Sequence, residues 1–89
     1  MSRVERTAIF QRQFLDDFRY WVKADRNTAL RIFDLIDATL RDPFVGIGKP
    51  EPLRHEFAGC WSRRITPAHR LIYRVTLEQI DFLQARYHY

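Results

Sequence analysis

The stretch CWSRRITPAHRLIYRVT, residues 60–76, decides the fold. Two runs rich in Trp, Ile, Tyr, Val and Thr, Cys60 to Thr66 and His69 to Thr76, are interrupted only by Pro67-Ala68, which predicts consecutive antiparallel strands. A third run, Ile80 to Tyr89, follows after Leu77-Glu78-Gln79 and predicts a further strand. Side chains alternate between the faces of a strand. In the middle strand this assigns Leu71, Tyr73 and Val75 to the core and Arg70, Ile72 and Arg74 to the open face. In the last strand Leu83, Ala85 and Tyr87 take the core parity and Phe82, Gln84, Arg86 and His88 the other. In the first, Trp61 and Ile65 oppose Ser62 and Arg64. Arg64, Arg70 and His88 then converge on one face, provided that no bulge interrupts the strands.

Moving towards the amino terminus, Gly46 and Gly48 keep the segment after Asp42-Pro43 irregular, and Asp42-Pro43 itself closes a helix. That helix carries the apolar stripe Ala29, Ile32, Ile36 and Leu40, with Asn27 as its expected N-cap. Before it, Phe14, Phe18, Trp21 and Val22 recur at helical spacing among Asp16, Asp17 and Arg19, and Thr7-Ala8-Ile9-Phe10 is a short apolar run. The order is β-α-α-β-β-β. The expected class is α+β, a single domain over residues 1–89 with both helices packed on one face of a small, largely antiparallel sheet.

With 89 residues, 46% of them apolar and thirteen aromatic rings from seven Phe, four Tyr and two Trp, the chain can build one core and is not disordered by composition. A net charge of +4 favours an anionic partner without choosing among RNA, DNA and acidic protein. Cys60 stands alone, so no disulfide within the chain is possible, and it reads as a small buried side chain. The Met-Ser-Arg-Val-Glu start lacks the apolar run of a signal peptide, and no window approaches the length of a membrane span, so the expected location is the cytoplasm.

The polar residues include the types that a metal-free ribonuclease requires. An RNA 2′-hydroxyl must lose a proton, the leaving 5′-oxygen must gain one, and the phosphorane between them needs cations. Glu51 lies between Pro50 and Pro52, which stiffen its backbone; the plain alternative is a solvated loop glutamate. His88, with an ordinary pKa of ~6.5, suits a general acid, although a histidine near a chain end is also often incidental. Arg64 and Arg70 can each fork onto phosphate oxygens. Arg63, Arg74 and Arg86 either solvate the sheet or follow an RNA backbone. Tyr87 and Tyr89 are core edge or stacking platforms. His55 and His69 are weaker candidates, His69 because it has the core parity, and no metal-ligand spacing links the histidines.

Gly48-Lys49-Pro50-Glu51-Pro52-Leu53, Gly59, Trp61 to Thr66, His69 to Tyr73 and Arg86-Tyr87-His88-Tyr89 together resemble the YoeB branch of the RelE-like toxins of bacterial toxin–antitoxin systems. The resemblance spans nearly the whole chain. It implies a RelE-like fold and an mRNA endoribonuclease that works in the ribosomal A site without a cofactor. Glu51 would be the general base, His88 the general acid, Arg70 the phosphate-stabilising cation and Arg64 a second cation, with Arg54 and Tyr89 also binding substrate. It implies as partners a YefM-type antitoxin, the ribosome with its mRNA, a second copy in a homodimer, and operator DNA bound through the toxin–antitoxin complex. Arg54 stands where the family commonly has lysine, and a few extra residues precede the first strand. Rival readings are a non-enzymatic inhibitor on the same fold, as in ParE-like toxins that bind gyrase, and a plain nucleic-acid-binding module.

Overall fold

A computed structural model describes residues 5–86. The elements run β1 (Thr7–Phe10), α1 (Arg12–Ala24), α2 (Arg26–Arg41), β2 (Glu51–Pro52), a 3₁₀ turn (His55–Phe57), β3 (Cys60–Thr66), β4 (His69–Val75) and β5 (Gln79–Gln84). The expected order is present with one addition, the two-residue β2, which pairs with β3 where the sequence suggested only a loop. The five strands lie in the order β1-β5-β4-β3-β2, parallel between β1 and β5 and antiparallel elsewhere. β5 ends at Gln84 rather than running on to the end of the chain, and residues 87–89 lie outside the described part.

Both helices cover one face. Phe14 and Trp21 from α1 and Ala29, Ile32, Leu35 and Ile36 from α2 pack on Ile65, Leu71, Tyr73, Ile80, Phe82 and Ala85. Each large apolar side chain buried here contributes about 1.5–3 kcal/mol of transfer free energy. Leu35 extends the stripe predicted for α2, whereas Val22, assigned to the apolar pattern of α1, is 48% exposed and does not join the core. The N-cap of α2 is Asp25, not Asn27: its carboxylate accepts from the Thr28 backbone N–H and from the Thr28 hydroxyl at 2.9 Å. Asp25 also donates its backbone N–H to the Trp21 carbonyl, so the same residue ends α1 and starts α2.

The parity assigned to β5 needs correction. Tyr73 pairs with Phe82 but Ile72 pairs with Gln84, so Leu83 is an extra residue. This bulge puts Ile80 and Phe82 in the helix-covered core and turns Leu83 to the far side, while Gln84 and Ala85, beyond it, keep their expected faces. The far side is not fully open either. Ile72 is buried there with Leu53 and Cys60, against which Phe57 and Leu83 pack. The core parity of β4 holds, and His69 meets the Trp21 ring edge-on at 4.8 Å.

Arg63 departs most from expectation. Rather than solvating the sheet it is fully buried on the helix side, donating to the Tyr73 hydroxyl and to the carbonyls of Asp42, Val45 and Ile47. Tyr73 in turn donates to the Pro43 carbonyl at 2.7 Å, and burial pushes its hydroxyl pKa up. These bonds hold the segment between α2 and β2 against the sheet. Gly48 then passes so close that a Cβ would lie 2.8 Å from Leu35 Cδ2, and its φ of +82° favours glycine. That approach lets its carbonyl accept from the Arg64 backbone N–H at 2.6 Å.

Candidate active site

β2 sits at the edge of the sheet, directly after the Arg63-anchored segment, and its register puts Glu51 opposite Ser62. Ser62 pairs with Ile72, and Arg64 pairs with Arg70 two residues along the same ladder. Alternation therefore gathers Glu51, Ser62, Arg64 and Arg70 on the face away from the helices. Arg70 Nη1 donates to Glu51 Oε1 at 2.7 Å and to Ser62 Oγ at 3.2 Å. The Glu51 side chain is 52% exposed and that of Arg70 21%, so the pair is accessible from solvent.

The hydrogen bond from Arg70 is the chief reason that the Glu51 carboxyl titrates below its ordinary range; desolvation opposes it, and the charges of Arg70, Arg64 and Lys49 add to the lowering. Glu51 is thus ionised at neutral pH and free to accept a proton, but while Arg70 holds it, it is a weaker base than an ordinary carboxylate. An anion that drew Arg70 to itself would release Glu51 and strengthen it. The same arginine serves both states.

Beside this pair Glu51, Pro52, Leu53, Arg54, His55, Glu56 and Phe57 line an open depression of about 530 Å³. Arg54 is exposed on its wall, and His55, which sequence reasoning set aside, begins the 3₁₀ turn with a left-handed φ of 60°. The structure thus gathers Glu51, Arg64 and Arg70 and puts Arg54 on the wall beside them. His88 and Tyr89 lie outside the described residues. Arg74 is not part of the group, since it lies 4.0 Å from Asp81, and Arg86 stacks over Tyr20 with its guanidinium carbon 3.4 Å from the ring centroid. Ser62 and Lys49 were the omissions. Ser62 shares the strand parity of Arg64, and Lys49 stands two residues before Glu51, so both signals were present in the sequence. Among the described residues no three His, Cys, Asp or Glu side chains are grouped as a metal ion would require, and no helix is long and apolar enough to cross a membrane.

The family model described as YoeB-like toxin of bacterial type II toxin–antitoxin system matches residues 10–89. The toxin YoeB of Mycobacterium bovis is 52% identical over 84 residues, covering 94% of this chain and 99% of its own. The toxin YoeB of Escherichia coli is 47% identical over 81 residues, covering 91% and 96%. Among solved structures, the YoeB/ParE toxin from Agrobacterium tumefaciens is 40% identical with a TM-score of 0.87 over 93% of this chain and 99% of that one. The YoeB dimer from Staphylococcus aureus is 34% identical with a TM-score of 0.86 over 96% and 99%, and the YoeB–YefM complex from the same organism is 32% identical with a TM-score of 0.83 over 99% and 100%.

Proposed function

Since the chain belongs to the family of YoeB-like toxins of bacterial type II toxin–antitoxin systems, we propose that it is an endoribonuclease that cleaves mRNA in the ribosomal A site by metal-independent acid–base transesterification. The observation that carries this reading is the solvent-accessible Glu51–Arg70 pair at 2.7 Å with Arg64 beside it. In the proposed reaction the scissile phosphate draws Arg70 from Glu51. Glu51 takes the 2′-hydroxyl proton, the 2′-oxygen forms a bond to phosphorus, and Arg70 with Arg64 neutralises the phosphorane. His88 donates a proton to the 5′-oxygen as its bond to phosphorus breaks, which leaves a 2′,3′-cyclic phosphate and a 5′-hydroxyl. Arg54 and Tyr89 hold the neighbouring nucleotides, Arg54 keeping the positive charge of the lysine common at that place. Catalysis by few groups is consistent with a ribosome that holds the substrate in line. The proposed setting is the cytoplasm, with a YefM-type antitoxin as inhibitor, a homodimer as the free form, and operator DNA bound through the toxin–antitoxin complex.

The test is cleavage of a translated mRNA by Glu51→Gln, Arg70→Ala and His88→Ala toxins. Loss of one positioned donor to the phosphorane is worth a factor of ~100 to 1,000, so Arg70→Ala is expected to fall that far while Arg74→Ala cleaves at nearly the original rate. Full cleavage by Glu51→Gln and His88→Ala would overturn the acid–base scheme. Growth inhibition without RNA cleavage, accompanied by gyrase inhibition, would favour the non-enzymatic rival.

A further inference from the structure

On the face of the sheet away from the helices, Ser62 marks the border between an apolar cluster and the charged site. Cys60, two residues before it on β3, and Ile72, its partner on β4, are buried with Leu53, whereas Arg64, two residues after it, and Arg70, opposite Arg64, belong to the site. Glu51 is its partner on the other side, in β2. With strands paired on both sides, Ser62 is 0% exposed. An apolar residue here would simply extend the cluster, because a hydroxyl withdrawn from water is costly unless it is hydrogen-bonded. Ser62 Oγ accepts from Arg70 Nη1 at 3.2 Å, and the same nitrogen donates to Glu51 Oε1 at 2.7 Å. A terminal guanidinium nitrogen carries two hydrogens, so Arg70 makes both bonds at once. The two acceptors differ in charge and in rigidity. Glu51 is an anion on a two-residue edge strand with its side chain half exposed, and Ser62 is a neutral hydroxyl on a short side chain inside the sheet.

We propose that Ser62 is a positioning residue for Arg70, its hydroxyl keeping the guanidinium in the site when a phosphate draws the arginine away from Glu51. This deepens the proposed function and rests on its reading of Arg70 as the cation at the phosphorane. An arginine side chain has many rotamers, and one released from its carboxylate must be ordered again before it can neutralise charge at a fixed point. The bond to Ser62 preserves that order while the other N–H groups turn to the phosphate. Because the acceptor is uncharged, it competes only weakly with a phosphate for the guanidinium, where a second carboxylate would hold it back. A cation already held in place costs no reorganisation at the moment of reaction.

The experiment has one arm without substrate and one with it. In free Glu51→Ala toxin, which lacks the carboxylate, rotation of the Arg70 guanidinium about Nε–Cζ is read from nitrogen-15 exchange between its two Nη sites. Adding Ser62→Ala should speed that rotation by about threefold or more, as loss of one hydrogen bond would. Single-turnover cleavage on programmed ribosomes then compares Ser62→Ala with Ser62→Cys, which nearly keeps the volume and substitutes a weak acceptor. Both are expected to lose about tenfold in the saturated rate, since a misplaced group slows the chemical step, with less than about a twofold change in half-saturating ribosome concentration. In an Arg70→Ala background Ser62→Ala should cost less than about twofold, because it acts through Arg70. Equal rotation rates with and without the hydroxyl, full saturated rates in both Ser62 variants, or the same loss in the absence of Arg70 would each overturn the role of Ser62. Full cleavage by Arg70→Ala alone would instead remove the reading of Arg70 on which this role depends, and the role with it.

Discussion

Arg63 and Arg64 are adjacent in the sequence and opposite in fate, because strand alternation sends one to each face. Arg63 meets Asp42 O at 2.6 Å, Ile47 O at 3.0 Å, Val45 O at 3.2 Å and Tyr73 Oη at 3.1 Å, a spread of acceptors that suits a planar fork of donors and not a single ammonium. Both Arg63→Lys and Arg63→Met are therefore expected to lower stability, the second by about 3 kcal/mol, since the carbonyls lose a charged donor and stay partly buried. Urea unfolding checks this as a drop in midpoint at unchanged slope; a loss below about 0.5 kcal/mol, the size of an ordinary surface change, would show that the fork does not hold the segment. Glu51 makes a prediction of the opposite kind, read in titration and not in stability. Arg70→Gln removes the chief cause of its lowered pKa, so the carboxyl should titrate at higher pH, as followed by its carbon-13 shift. Because the folded pKa is the lower one, the pair stabilises the fold above the ordinary carboxylate pKa, and this is lost as pH falls through the folded value. With Glu51 half exposed, solvent screening keeps that contribution small. An unmoved carbon-13 titration in Arg70→Gln would mean that the two side chains do not pair in solution.

Among the elements, the junction between α1 and α2 depends on Asp25, which caps one helix and closes the other. Loss of a side-chain cap typically costs about 1 kcal/mol, so Asp25→Ala should lose that much in urea unfolding and Asn27→Ala much less. Equal losses would return the cap to Asn27. The sequence permitted either choice, because Asp25 and Asn27 are both good capping residues two positions apart. Their selection depends on where the chain leaves α1. The bulge at Leu83 was illegible for a similar reason. In Ile80-Asp81-Phe82-Leu83, apolar residues occur at both parities, and only the fit of Phe82 against Phe14 and Tyr73 decides which one enters the core.

Considered whole, the molecule divides its labour between two faces of one sheet. The helices bury the face that holds Tyr73, Phe82 and Arg63, and the opposite face carries Glu51, Ser62, Arg64 and Arg70. The site consequently stands on rigid strands while its edge strand and adjoining turn form the wall of the depression. For the proposed reaction, cleavage should continue in a chelator when ribosomes are kept intact with polyamines, and the upstream RNA fragment should end in a 2′,3′-cyclic phosphate or the 3′-phosphate derived from it. A 3′-hydroxyl end would require attack by water on the other phosphorus–oxygen bond, in the manner of metal-dependent nucleases, and would remove Glu51 and His88 from their roles.

The strand runs around Pro67-Ala68 and the two helical stripes were legible because period and punctuation are local properties of the chain, and with them came the α+β class and the shared face of Arg64 and Arg70. Tertiary structure alone decided that Arg63 is buried, that Phe82 and not Leu83 enters the core, that two residues around Glu51 join the sheet edge, and that Asp17 turns inward to hold Ala85. Each of these depends on a partner ten or more residues away. A polar side chain or a one-residue bulge becomes favourable only when that distant partner supplies the missing hydrogen bond or fills the space, and no local pattern records such a partner.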